Sequence, residues 1–245
     1  MSEGTALSTR GLIAGYERDL PIVRGIDFDA KPGELVVVLG PNGAGKSTFV
    51  KAIAGTVPVF AGRVALGNDN VTQLPAHDKI RRGLAFVPQT ENIFATLTIL
   101  ENLELAADIL PRHLRRQRIA SVEAMFPDLA RRPALRAGQL SGGQRQMLAV
   151  ARALIVDPKV LILDEPSAGL SPRIVGEVFS SLARINQSGV TIILVEQNVK
   201  AALAVAHRGV VLVEGQLRHE GPAATLAHDP IIAELYLGVA PALPA

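Results

Sequence analysis

Hydrophobic positions in this chain fall into short β-branched runs separated by stretches whose apolar residues recur at helical spacing. That alternation predicts a mainly parallel sheet covered by helices, since parallel strands need long crossovers and helices supply them. The opening differs: Leu7–Ala14 and Ile22–Asp29 read as antiparallel strands around a polar turn, Tyr16–Pro21. Pro32 and Gly33 break the chain before Glu34–Leu39, whose unbroken apolar run predicts a central strand buried on both faces. A glycine-rich turn leads into a helix, Lys46–Ala54, stopped by Gly55. A strand at Arg63–Leu66, a helix at Ala76–Arg82 and a strand at Leu84–Val87, ended by Pro88, follow. From Leu97 to Ala137 no strand pattern occurs; Leu100–Leu110 and Leu114–Phe126 carry helical spacing, broken at Pro111 and Pro127. This stretch reads as an inserted helical subdomain. Helices at Gly142–Val156, Pro172–Gln187 and Asn198–Ala206 then alternate with strands at Val160–Leu163 and Val190–Val195. Val210–Val213 and Leu217–His219 flank Glu214-Gly215-Gln216, a hairpin signal. Ile231–Leu237 is the last expected turn of order, before a frayed tail, Val239–Ala245.

Composition narrows the classes. A length of 245 residues suits one large α/β domain, or one domain with an inserted subdomain. At 48% hydrophobic residues, the chain is not disordered as a whole. With Cys 0, no disulfide scaffold, thiolate zinc site or cysteine nucleophile is available. No apolar run is long enough to span a bilayer and the N-terminus lacks a signal-peptide core, so the expectation is an intracellular chain without direct membrane insertion. A net charge of +2 is too weak to argue for nucleic acid, and no nucleic-acid partner is expected. Arg112, Arg115, Arg116 and Arg118, with Arg131, Arg132 and Arg136 beyond, lack interleaved aromatics and read as a solvated helix face or a rim against a membrane protein. His77, His113, His207, His219 and His228 read as surface or loop residues, and Met125 and Met147 as core filler.

Chemistry concentrates in two places. Gly40, Pro41, Asn42, Gly43, Ala44, Gly45, Lys46 and Ser47 fit G-x-x-x-x-G-K-[ST] between a strand and a helix. Glycines let successive N–H groups turn inward around a phosphate, and the helix presents its positive end to the same point. Lys46 is placed to reach the β- and γ-phosphates, Ser47 to offer a hydroxyl to Mg2+, and Thr48 to support it. The second place is Val160–Glu165, an apolar strand ending in two carboxylates at the end where such sheets bind ligands. Asp164 is expected to hold Mg2+ through water, and Glu165 to take a proton from, or orient, the attacking water.

Leu140, Ser141, Gly142, Gly143, Gln144, Arg145 and Gln146 open a helix upstream of that acidic strand, and the run resembles the signature sequence of ATP-binding cassette (ABC) proteins. Ser hydroxyl, bare glycine N–H groups and a helix N-terminus again suit an anion. The resemblance covers residues 7–237. It implies an α/β fold: a P-loop NTPase (RecA-like) core with an N-terminal antiparallel β subdomain and an inserted α-helical subdomain. The segments are then 1–95 and 157–245 for the core and 96–156 for the helices. It further implies ATP and Mg2+ as ligands, and a head-to-tail dimer whose signature residues meet the γ-phosphate on the other subunit. Gln89 falls at the family's Q-loop position, which contacts Mg2+ and reports to a transmembrane permease. Tyr16 falls where the family stacks an aromatic on adenine; an ordinary turn tyrosine is the alternative there.

Two departures stand out. Gln197 occupies the place of the family's switch histidine; its amide donates a hydrogen bond but cannot titrate. Ser171 stands where many relatives have Asp. Together with Glu196-Gln197-Asn198, the Asp164–Pro172 stretch and the run Gln144–Ala149, these resemble the second ATPase subunit of branched-chain amino-acid importers, whose members also serve urea or amides. That implies a peripheral position on the inner face of the cell membrane beside a permease. It leaves open a homodimer or a heterodimer with a sister ATPase. A lipid exporter and a soluble ABC ATPase are the rival readings.

Overall fold

In the computed structural model of the protein, residues 4–90 and 92–230 are described; the turn expected at 231–237 and the tail beyond it lie outside them. Two sheets build the molecule. The first is antiparallel, from β1 (Leu7–Ala14), β2 (Val23–Ala30), β4 (Val59–Leu66) and β5 (Asp69–Asn70) in the order β2-β1-β4-β5. The second is six-stranded, from β3 (Leu35–Leu39), β6 (Leu84–Val87), β7 (Val160–Asp164), β8 (Thr191–Val195), β9 (Arg208–Val213) and β10 (Gln216–Pro222), in the order β10-β9-β3-β8-β7-β6. All its pairs are parallel except the β9–β10 hairpin. That hairpin turns through Glu214 and Gly215 at φ 49° and 78°, the paired left-handed residues a two-residue turn demands.

The core lies on both faces of this sheet, and β3 shows why. All five of its residues are buried. Leu35, Val37 and Leu39 point into one apolar cluster, Val36 and Val38 into the other, the period-2 alternation of a strand with no solvent face. One cluster joins the sheet to the antiparallel strands and to α1 (Lys46–Ala54). Phe28 and Phe49 meet there edge to face, with centroids 5.6 Å apart. The other cluster receives α6 (Gly142–Leu154), α7 (Pro172–Gln187) and α8 (Val199–Leu203). Between β6 and β7 the described residues form helices alone: α3 (Ile99–Ala107), α4 (Arg112–Met125) and α5 (Pro127–Ala130), then a 3-10 turn at Ala137–Gln139 and α6. Thr98 and Glu101 close a reciprocal capping box that starts α3. The remaining helices are α2 (Ala76–Arg81) and α9 (Ala223–Leu226).

Several sequence expectations need correction. β4 starts at Val59, not Arg63, because it pairs with β1 through Ala14↔Val59 across a bulge. A Cβ on Gly62 would sit 2.3 Å from the Gly11 carbonyl, so the strands cross where only glycine fits. β5, α5 and α9 are too short to leave a period in the sequence. α8 ends at Leu203 because His207 then donates its N–H to the Leu35 carbonyl and draws the chain into β9. Met125 is 48% exposed rather than core, since only Val122 of α4 is buried. The arginine stripe is not simply solvated. Arg115 donates to the Leu110 carbonyl, and Arg118 donates to the carbonyls of Leu154 and Ile155 while pairing with Asp157 at 2.8 Å.

Candidate nucleotide site

The site forms at the C-terminal ends of β3, β6, β7 and β8, the edge at which open parallel sheets bind ligands. β3 ends at Leu39, and Gly40 begins the loop into α1. A Cβ on Gly40 would lie 2.2 Å from the Leu212 carbonyl, so the backbone passes where no side chain fits. Gly45 caps α1 in the left-handed region at φ 93°. The loop thereby wraps a cleft of about 220 Å3 lined by Ile22, residues 42–48 and Glu165.

Inside it, Lys46 is 5% exposed, and its ammonium donates to the carbonyls of Gly40 at 2.8 Å and Pro41 at 3.0 Å. Burial lowers its pKa, and the carboxylates of Glu165 and Asp164 act against that. Ser47 donates its hydroxyl to Asp164 Oδ1 at 2.9 Å. Asp164 is 1% exposed. Burial raises its pKa; the Ser47 hydrogen bond and the charges of Lys51 and Lys46 pull the other way. Its Oδ2 is buried without a hydrogen-bond partner, an arrangement that costs free energy unless something meets it. A hard cation fits this pair of oxygens. Among the described residues no group of three His, Cys, Asp or Glu assembles a metal cage. One carboxylate beside a hydroxyl is a donor set that suits Mg2+, which keeps waters and takes one carboxylate together with phosphate oxygens.

Glu165 follows at φ 48°, a left-handed conformation uncommon for a residue with a side chain. Its carboxylate accepts from Gln89 Nε2 at 2.9 Å and from Gln197 Nε2 at 3.0 and 3.2 Å. Three loops, after β6, β7 and β8, thus converge on one acidic group. Behind them lies Glu196, buried and hydrogen-bonded to Ser167. The sequence assigns neither Glu196 nor Ser167 a role, and it marks Ile22 only as the start of a strand. No motif marks Ile22 or Ser167; an acidic residue closing an all-apolar strand was the available signal for Glu196.

Not every expected residue gathers here. Ser141 caps α6 in a reciprocal box with Gln144, and none of Ser141, Gly142, Gly143 or Gln144 lines the phosphate cleft. Ser141, Gly143 and Gln144 line instead a groove of about 750 Å3 beside α5 and α7. Tyr16 is 61% exposed in the β1–β2 turn and is also absent from the cleft wall.

Residues 23–168 match the family model described as ABC transporter. The chain belongs to that family. It is an ATPase of the ABC type. It is 40% identical over 234 residues to the probable branched-chain amino acid transport ATP-binding protein LivF of Archaeoglobus fulgidus, covering 95% of this chain and 99% of that one. It is 33% identical to the lipopolysaccharide export system ATP-binding protein LptB of Escherichia coli, covering 95% of this chain and 97% of that one. Among solved structures, the ADP conformation of MJ1267, an ATP-binding cassette of an ABC transporter, superposes with a TM-score of 0.85 at 25% identity, over 96% of this ABC ATPase and 99% of that chain. Among the described residues no helix is long and apolar enough to cross a membrane.

Proposed function

We propose that this ABC ATPase drives uptake of branched-chain amino acids or a similar small polar solute through a transmembrane permease, on the inner face of the cell membrane. The observation that carries the chemistry is Glu165, held between Gln89 and Gln197 at the mouth of the phosphate cleft, one residue from Asp164. The N–H groups of Asn42–Thr48 and the Lys46 ammonium offer positive charge to the β- and γ-phosphates of ATP. Ser47, Asp164 and Gln89 are the residues that would hold Mg2+, which supplies charge neutralisation at the phosphate oxygens. Glu165 takes a proton from a water as that oxygen bonds to the γ-phosphorus. The bond to the β–γ bridging oxygen breaks, and ADP and phosphate leave. Gln197 orients this carboxylate through its amide and adds no titration of its own.

The signature residues Ser141–Gln144 stand outside the cleft that their chemistry suits. A second cassette, a copy of this chain or a sister, supplies them across a head-to-tail interface, with Tyr16 as the adenine platform. Segments 1–95 and 157–245 move against 96–156 as the dimer closes, and Gln89 passes that movement to the permease. Gln197 in place of histidine and the higher identity to LivF than to LptB support an importer over a lipid exporter.

The test is affinity purification of the chain from solubilised membranes of its host, with mass spectrometry of what accompanies it. Recovery of polytopic permease subunits with an amino-acid-binding protein is the expected result. Lipid-export components would move the assignment to an exporter, and ribosomal or DNA-repair factors would overturn transport.

A further inference from the structure

We infer that Glu196 is a positioning residue whose buried carboxylate locks the loop carrying Glu165 to the loop carrying Gln197, so that turnover depends on an acid that never meets the nucleotide. The inference rests on Glu165 as the base. Glu196 is 1% exposed and does not line the phosphate cleft. It follows β8, whose five residues are all buried. A carboxylate there is costly unless hydrogen bonds meet it. Among the described ion pairs none offsets its charge. Its oxygens instead collect hydrogen bonds from two loops. Ser167 donates its N–H at 3.0 Å and its hydroxyl at 2.8 Å. Gln197 and Asn198 donate their N–H groups at 3.1 and 3.4 Å. Burial raises the pKa of Glu196 against these bonds.

The four bonds hold the local fold, and their geometry also ties together two loops of the site. Ser167 lies just beyond Glu165 and Pro166, and Glu165 holds an uncommon φ that its surroundings must impose. The Glu165 N–H donates to the Val195 carbonyl at 2.9 Å, and the Ala168 N–H donates to the Glu165 carbonyl at 3.2 Å. Glu196 fixes the next link, Ser167, and by its contact with the Gln197 N–H it fixes the residue whose amide rests on the Glu165 carboxylate. A closed circuit results: Glu165, Ser167, Glu196, Gln197 and back to Glu165. All partners of Glu196 are donors, so a glutamine there would aim its own N–H groups at one of them.

The experiment compares Glu196→Leu, Glu196→Gln and Ser167→Ala with Glu165→Gln in the full chain. ATP turnover, nucleotide affinity and thermal unfolding are measured for each. For Glu196→Leu and Glu196→Gln the expected loss of kcat is roughly 10–100-fold, the scale of a misplacement by about 1 Å. KM and nucleotide affinity stay within about 3-fold, because the cleft wall is untouched. Glu196→Leu orphans four donors and melts lower than wild type, so kcat is taken per folded protein well below the melt; Ser167→Ala, which keeps the buried acid, lowers kcat in the same sense. Adding Ser167→Ala to Glu196→Leu costs little more, as both break one circuit. Wild-type kcat in both Glu196→Leu and Ser167→Ala overturns the inference, as does a kcat loss that only tracks lost folded protein. If Glu165→Gln itself turns over at the wild-type rate, the reading of Glu165 falls first. If Glu165→Gln is inactive while the Glu196 and Ser167 variants are not, only the circuit falls.

Discussion

Lys79 is 0% exposed, and its ammonium donates to the Ile53 carbonyl at 2.8 Å, at the C-terminal end of the phosphate-loop helix. The negative end of a helix favours a cation there, but burial wins and draws its pKa down from 10.5 to about 8. The folded chain therefore binds fewer protons than the unfolded chain between about pH 8 and 10.5. In that window the Lys79 contribution to stability rises with pH; below it the folded protein bears the full cost of a buried charge. Lys79→Met is expected to remove this slope, read from denaturant melts at several pH values, and to lower stability near pH 9 by about 1–3 kcal/mol through the orphaned carbonyl. At this scale the phosphate-loop and acidic-strand residues were legible because a motif fixes both their identity and their spacing. Lys79 and Glu196 were not, since their partners, Ile53 and Ser167, come from other elements and no spacing rule joins them.

The glycines that open α6 suit an anion by sequence, yet they also pack. A Cβ on Gly143 would lie 2.3 Å from the Ile174 Cγ2 on α7, and one on Gly142 would lie 2.9 Å from a Leu170 methyl. Ile174 is β-branched on a helix and cannot swing aside cheaply. Gly143→Ala is therefore expected to destabilise the fold by about 1–3 kcal/mol despite alanine's better helix propensity. Ile174→Ala in the same chain recovers part of that loss, as a double-mutant cycle of thermal melts would record. Elements with a long period or a breaker, such as α1, α7 and the all-buried strands, were readable with bounds close to those observed. β4 was half hidden because its outer residues alternate around a glycine bulge, and bulges carry no period.

Across the whole molecule, the phosphate cleft and the signature helix occupy separate surfaces. On the proposed head-to-tail arrangement, a single chain offers two half-sites. Glu165→Gln is expected to cut turnover by roughly 10²–10⁴-fold while leaving ATP bound. As a homodimer it should double in mass by light scattering with ATP and not with ADP; an unchanged monomer would rule out the homodimer and leave a sister cassette as the partner. The order of motifs made the architecture readable from sequence, whereas the solute is not, because no residue of the nucleotide site recognises cargo. The sheet also sets a timetable for synthesis. β3, which launches the phosphate loop, pairs only with β8 and β9, and the Leu35 N–H reaches the His207 ring 172 residues later. At about 5–20 residues per second, a nascent β3 waits on the order of ten seconds with both edges unpaired. Its five apolar residues are then shelter-seeking surface, open to chaperones or to other unfinished chains. A chain released before β8 carries the complete phosphate motif on a strand with neither neighbour to pair with.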